Sequence, residues 1–508
     1  MKTVVIDGLN LSLKDVLDVA YGAKVEIAKE AYTRMAASRG LVNDIIKNKK
    51  SVYGITTGFG KFSEVSISEK DSEKLQKNLI TSHACGVGKP LAQEAVRALM
   101  CLRLNALAVG NSGISRNTFD ALKELLNSPI IPFIPEKGSL GASGDLVPLA
   151  HMTLTLLGIG DAYYDGLLMP AIKALNMANL SAIELSGKEG LALINGTCAM
   201  CALACLTVSD SINLNKTADI CAALTCEALR GIIDAYDDRI HQLRHQSGQI
   251  KTAQNLRNLL SGSARTIKQG QLRVQDAYTL RCVPQIHGPS KDAISYVKDI
   301  VCKELNAVTD NPLIFADTNE TLSGGNFHGQ CLALPLDFAA IALSELANVS
   351  ERRIERMVNP QLSDLPGFLV KEGGLNSGFM IVQYVAASLV NENKVLSHPA
   401  SVDSITSSAN QEDHVSMGMT AARKSREIAK NVTQVLAIEL LTACQAIDIG
   451  DKNLNLAPAT KAVYDLIRQK VSFMASDRYI SPDIAAVEQL VKSGEIVRAA
   501  EKVIGEIN

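Results

Sequence analysis

From Gly138 to His151 the chain reads Gly-Ser-Leu-Gly-Ala-Ser-Gly-Asp-Leu-Val-Pro-Leu-Ala-His, and its residue types say most about chemistry. Ser143 offers a hydroxyl, Asp145 a carboxylate, and Gly138, Gly141 and Gly144 permit tight turns. Taken alone, the stretch is a glycine-rich turn ahead of a helix, with Ser143 or Asp145 as its cap. Gly-x-Ser-x-Gly is absent around Ser143, which counts against a nucleophile elbow. Cys198, Cys201 and Cys205 form a CxxC followed by x3C, a spacing seen in redox and metal sites. Here they sit in Cys-Ala-Met-Cys-Ala-Leu-Ala-Cys with no histidine or basic residue beside them, and buried packing on a helix is the better reading. His241 and His245 have the i,i+4 spacing of zinc ligands, but the glutamate of an HExxH site is replaced by Gln242. That pair is expected to be structural or to lie at an interface. Gly58-Phe59-Gly60-Lys61 lacks the third glycine of a dinucleotide loop, and Gly88-Lys89 is followed by Pro90 where a Walker A loop has Ser or Thr.

Residues of this kind need a scaffold, and the composition supplies one. Of 508 residues, 47% are hydrophobic and 20% charged, the balance of a globular protein able to bury a large core. Fifty-one Lys and Arg against 53 Asp and Glu leave a net charge of -2, without the basic footprint of a nucleic-acid binder. Aromatics are 4% and Trp is absent, which removes base-stacking platforms. Eleven cysteines, an odd number spread along a long chain, suit a reducing compartment. No signal-peptide pattern opens the sequence, so a cytoplasmic protein is expected. The apolar runs Leu191–Val208 and Cys331–Val349 contain polar or charged residues and are expected as buried helices, not membrane spans.

Helical periodicity dominates after a mixed first 60 or so residues. Apolar residues at Leu91, Ala95, Leu99, Leu102 and Ala106 predict a helix that stops at Gly110-Asn111. Val432, Leu436, Leu440 and Cys444 predict another after Ile428. Asp337 to Val358 is dense enough in small and apolar residues for burial nearly all round, with Glu351–Arg356 emerging towards solvent or a subunit contact. Glycine-rich breaks cluster at 54–60, 141–144, 324–329 and 373–378. The reading is a mainly α fold with irregular loops between long helices, and loops on a rigid scaffold are where function sits.

The Gly138–His151 stretch resembles the signature of the aromatic amino acid ammonia-lyases and aminomutases. Other blocks follow in the same order as in that family. Tyr53–Gly60 looks like its tyrosine loop and Asn195-Gly196-Thr197 like its asparagine loop. Gln275–Cys282 matches the segment with the substrate-binding arginine. Gly325–Gly329, Gly374–Phe379 and Ser408–Ser416 also match, so the resemblance covers nearly the whole chain. Ser82-His83 stands where phenylalanine enzymes carry Phe-Leu and tyrosine enzymes His-Leu, and with Glu412 it is similar to the histidine-specific branch. The chemistry agrees, since an imidazole needs polar partners and a phenyl ring an apolar slot.

The resemblance implies that Ala142, Ser143 and Gly144 cyclise without help into 4-methylideneimidazol-5-one, so no external cofactor or metal is expected. Gly144 without a Cβ, a small Ala142 and a departing Ser143 hydroxyl suit that cyclisation. The implied reaction is loss of ammonia from L-histidine to give trans-urocanate. Tyr53, as its phenolate, would take the β-proton; Arg281 would hold the α-carboxylate; His83 and Glu412 would face the imidazole, and Glu412 would take a proton from the amine. Asn195 and Tyr278 would lie beside the electrophile, and Gln275 and Phe327 would complete the pocket. His151, His287 and His328 are expected to be structural. Gln330, Cys198 and Ala277 stand where the family more often has Glu, Gln and Pro. The implied architecture is fumarase/aspartase-like: an N-terminal, mixed but mostly helical domain over residues 1–194 bearing the tripeptide, then a long central helical bundle over 195–508. The implied assembly is a homotetramer with shared sites. Rival readings are a tyrosine or phenylalanine ammonia-lyase or aminomutase of the same family and, from another class, a helical scaffold or thiol sensor.

Overall fold

The computed structural model describes residues 2–62 and 64–508. Twenty α-helices and nine short strands form among the described residues, so the fold is mainly α. Where the sequence shows 3.6-residue periodicity with a glycine stop, helices follow. Gln93–Ala108 is helical and buried throughout from Ala95 onwards, and the chain turns at Gly110, whose φ is +98°. Helices Gln330–Val358 and Gly418–Ile449 cover the two later predictions. The apolar run from Leu191 is not one helix. It breaks at Asn195-Gly196-Thr197, between Glu189–Ile194 and Cys198–Ala228.

The chain divides into two compact units. One comprises residues 1–206, 298–337 and 399–423; the other comprises 207–297, 338–398 and 424–508. The sequence reading expects a single break at 194/195. The observed division differs because four of the crossings fall inside the helices Cys198–Ala228, Val283–Glu304, Gln330–Val358 and Gly418–Ile449.

The first unit holds all the strands among the described residues. Thr3–Ile6 pairs in parallel with Lys24–Ile27, and alternate residues of the first strand are buried, as a half-buried strand requires. The remaining sheets are antiparallel: Val87–Pro90 with Pro135–Lys137, Ile130–Pro132 with Asp161–Tyr164 and Leu167–Pro170, and Leu313–Phe315 with Glu320–Leu322. Helix Gln93–Ala108 runs through its core with two arginines inside. Arg97 donates from Nε, Nη1 and Nη2 to the carbonyls of Val19, Leu126 and Ala23 at 2.8, 3.0 and 3.0 Å.

The second unit is built from helices joined by loops, and none of the nine strands lies among its described residues. Glu351–Arg356 emerges only in part: Arg352 is exposed and Glu355 and Arg356 are half-buried, but Glu351 and Arg353 are buried, which corrects the expectation for those two. Arg353 is fully buried and donates to both oxygens of Glu439 at 2.6 and 2.9 Å. Ser350 and Thr225 also donate to Glu439, and His287 bonds Asp219 at 2.8 Å. Partners on other helices supply the hydrogen bonds that let these charges stay out of water. His287 is structural, as expected. So is buried His241, which bonds the Ala235 carbonyl and the Gln249 side chain. Three helices, Cys198–Ala228, Gln330–Val358 and Gly418–Ile449, are long and apolar enough to span a membrane, and most of each apolar stretch is buried within the protein.

Candidate active site

The Gly138–Gly144 loop is pinned from both sides. The Leu140 carbonyl accepts from Met417 N at 2.8 Å and the Gly141 carbonyl from Ser416 Oγ at 3.1 Å. Ser139 Oγ donates to Asp145 Oδ1 at 2.9 Å. On the other side lies the Asn195-Gly196 break. Asn195 Nδ2 donates to the Ser143 carbonyl at 3.0 Å, and Asp145 N donates to the Gly196 carbonyl at 2.7 Å. Gly144 has φ +73°, and a Cβ there would sit 2.2 Å from Gly196 O and 2.3 Å from its carbonyl carbon. Only glycine allows this approach.

Asp145 also caps, but not the helix that the sequence suggests. Its side chain leaves the following helix Leu146–Leu156 uncapped and instead accepts from Met200 N at 2.8 Å, in the first turn of helix Cys198–Ala228. Burial pushes the carboxyl up to about 6, against the opposing pull of its hydrogen bonds. The sequence could not reveal this cap, because donor and acceptor are 55 residues apart.

These loops border a cavity of about 1190 Å³. Tyr53, His83, Ala142, Ser143, Asn195, Phe327 and Glu412 all line it, and all belong to the first unit. Thr56 and Thr57 side chains lock the loop that carries Tyr53, and Gly60 N donates to Tyr53 Oη at 3.3 Å. Glu412 accepts from Ser143 Oγ at 3.2 Å and, on its other oxygen, from Ser407 Oγ at 2.9 Å. His83 closes helix Glu69–His83. Burial holds its pKa below the usual 6.5, and the Glu412 charge only partly offsets this. The Ser82 hydroxyl donates to the Leu79 carbonyl at 3.1 Å. His83 Nδ1 lies 3.0 Å from Ser82 Oγ; with the Ser82 proton on the Leu79 carbonyl, the Nδ1–H tautomer donates to Ser82 Oγ and Nε2 is the acceptor. His328 and His414 stack at 5.6 Å between ring centroids, and both line the cavity.

Three expected site residues lie in the second unit. Gln275 is exposed, Tyr278 is 68% exposed, and the Arg281 guanidinium lies 4.7 Å from the Tyr278 ring centre. Arg281 Nε is buried without a partner. Gln330 turns its amide to the Ser401 carbonyl at 3.2 Å. The thiols of Cys198, Cys201 and Cys205 are buried. Burial pushes Cys198 up to about 11, and a hydrogen bond with Cys205, together with burial, raises Cys201 well above its usual range. Among the described residues no cluster of three or more His, Cys, Asp or Glu could hold a metal.

A family model described as aromatic amino acid lyase matches residues 11–469. The chain belongs to the aromatic amino acid lyase family. Within this family it is 57% identical over 505 residues to the histidine ammonia-lyase of Alkaliphilus oremlandii, covering 99% of both chains. Among solved structures it resembles histidine ammonia-lyase from Trypanosoma cruzi, with TM-score 0.93, 42% identity and coverage of 100% of this chain and 96% of that one. It also resembles tyrosine aminomutase from Streptomyces globisporus, with TM-score 0.95, 37% identity and full coverage of both. The family fold therefore carries more than one reaction, and the side chains at the cavity must decide between them. The residues present fit the backbone-derived group that family resemblance implies. Gly144 is cradled where a Cβ could not be, Ser143 presents its hydroxyl to a carboxylate, and Asn195 Oδ1 is buried beside the tripeptide without a partner.

Proposed function

We propose that this chain is a carbon–nitrogen lyase that eliminates ammonia from L-histidine to give trans-urocanate. The observation that carries the reading is the meeting of His83 and Glu412 at one cavity with Ser143. The His83 acceptor nitrogen suits the N–H of an imidazole, and the Glu412 carboxylate suits the second N–H of its protonated form. A phenyl ring would leave both without a partner, and a phenol would supply one donor where two are wanted, at a cost of about 1–3 kcal/mol for each unmade bond. The 57%-identical relative, named histidine ammonia-lyase, supports the same substrate.

In this reading Ala142, Ser143 and Gly144 form 4-methylideneimidazol-5-one, which when present supplies an electrophile towards the substrate amine. The rest of the work falls to side chains. Tyr53, oriented by Gly60 N, takes the β-proton. Glu412 sits close enough to Ser143 to accept a proton from the amine. Asn195 orients the tripeptide through the Ser143 carbonyl, and Phe327 walls the pocket. Arg281 binds the α-carboxylate with its planar fork, Gln275 completes the pocket, and Tyr278 lies with Asn195 beside the electrophile.

We assign Arg281, Gln275 and Tyr278 to completion of a neighbouring copy's site in a homotetramer. Two observations support that assembly: the exposure of Gln275 and Tyr278, and the exposed apolar face of Ile381, Tyr384 and Val385 on helix Met380–Leu396. Eleven free cysteines suit a cytoplasmic setting.

The test is incubation of the purified protein with L-histidine, L-tyrosine and L-phenylalanine, followed by ultraviolet absorbance and ammonia release. Urocanate and ammonia in equal amounts from histidine are expected. Coumarate, cinnamate or a β-amino acid, with no urocanate, would overturn the substrate assignment in favour of a tyrosine or phenylalanine lyase or an aminomutase.

A further inference from the structure

Helix Gln93–Ala108 buries two arginines, and they are held very differently. Arg97 has a carbonyl for each of its three nitrogens, the pattern of a structural arginine. Arg103 is fully buried, yet only Nη1 is bonded, to the Asn195 carbonyl at 2.7 Å, with Cys198 Sγ at 3.9 Å. Its Nε and Nη2 have no partner. No carboxylate among the described residues pairs with it, and the nearby buried ammonium of Lys188 pairs with Asp310 at 2.7 Å instead. A buried, uncompensated cation costs stability, and such violations concentrate where function requires them.

The place where Arg103 spends its one strong bond is informative. Asn195 and Gly196 form the break that grips the tripeptide. The Asn195 side chain holds the Ser143 carbonyl, and the Gly196 carbonyl holds Asp145 N. Arg103 also packs on Gly196, where φ is +140° and a Cβ would lie 2.8 Å from Nη1. Thr309 secures the next peptide through Thr197 N at 3.3 Å.

We propose that Arg103 is a positioning residue for the Ala142–Gly144 segment. It fixes the Asn195-Gly196 peptide, which in turn orients the Ser143 carbonyl and presses on Gly144. The assignment rests on the reading that this segment cyclises and serves histidine elimination. A misplacement of about 1 Å in such a segment is worth roughly a hundredfold in rate.

The test compares Arg103→Lys and Arg103→Met with Arg97→Lys, each as the full chain made in a cell-free synthesis time course. Intact mass reports the loss of two waters, and thermal melting reports folding. For the dehydrated fraction, kcat and KM for histidine are measured separately. Both Arg103 variants are expected to fold with a melting temperature no lower than the parent's. They should dehydrate at least about tenfold more slowly, and kcat should fall at least about tenfold with KM within twofold. Arg97→Lys is expected to melt lower while dehydrating and turning over as the parent does. Dehydration and kcat at parental values in Arg103→Lys would overturn the assignment. So would failure of both Arg103 variants to fold, because a positioning role requires the arginine to be dispensable for folding. If the parent chain itself keeps its full mass or forms no urocanate, the underlying reading fails, and that result is distinct from a difference between variants.

Discussion

Replacing Gly144 with alanine probes the tripeptide at its tightest point. The added Cβ would meet Gly196 O, C and Cα at 2.2, 2.3 and 2.7 Å. All three are backbone atoms, so no flexible side chain can yield. Restoring a contact of about 3.2 Å requires the two segments to part by roughly 1 Å. Parting them breaks the 2.7 Å bond from Asp145 N to Gly196 O, worth about 1 kcal/mol net and more if the donor stays buried. Holding alanine at φ +73° costs about 1–2 kcal/mol more. The local cost is therefore about 2–4 kcal/mol, below the net stability of about 5–15 kcal/mol of a folded protein, so the chain should still fold. Chemistry is hit harder, because a reacting group displaced by about 1 Å loses roughly a hundredfold in rate. Intact mass against time, with melting as the folding control, reads both effects. The expected result is a folded Gly144→Ala chain that keeps its full mass and forms urocanate at least about a hundredfold more slowly. A folded variant that loses two waters as fast as the parent and turns over normally would refute the argument.

Further expectations follow from neighbouring groups. His83→Leu removes a polar partner of the imidazole, so kcat/KM for histidine should fall by roughly a hundredfold or more while the ratio of tyrosine to histidine turnover rises; an unchanged ratio would remove His83 from the specificity reading. Burial raises Asp145 from 3.8 to about 6, so the folded state binds more protons than the unfolded between those values. The stability from this group is present below about pH 4 and lost as pH rises through about 6, a swing of about 3 kcal/mol. Relative to the parent, Asp145→Asn should therefore gain melting temperature between pH 4 and pH 8, and a constant difference would contradict the assignment. With Cys198 held up at about 11, a Cys198→Ser/Cys201→Ser double variant should keep kcat/KM within about twofold; loss of turnover would reopen a thiol role.

Local signals in the sequence reached further for elements and motifs than for long-range partners. The spacing from Leu91 to Ala106 and the stop at Gly110 describe helix Gln93–Ala108 almost to its ends, because both periodicity and termination are local. The cavity residues Tyr53, His83, Ser143, Asn195 and Glu412 were legible because each lies in a motif block. Their meeting was not legible, since it depends on contacts between residues up to 269 apart, as from Ser143 to Glu412. Arg353 looked like a surface residue because its run is charged, and its partner Glu439 lies 86 residues away. Asp145 looked like a local cap for the same reason. Arg103 did carry a signal: a cation between Leu-Met-Cys-Leu and Leu-Asn-Ala-Leu stands, like Arg97, on a helix whose periodicity predicts burial. Its meaning appears only once the Asn195 carbonyl is found beside it.

The claim on which the rest depends is that the reactive group is made from Ala142, Ser143 and Gly144. Peptide mass spectrometry across Gly138–His151, on protein actively converting histidine to urocanate, tests it most directly. Loss of two waters confined to the Ala142–Gly144 tripeptide is expected. An unmodified peptide in protein that turns over histidine at full rate would contradict the account.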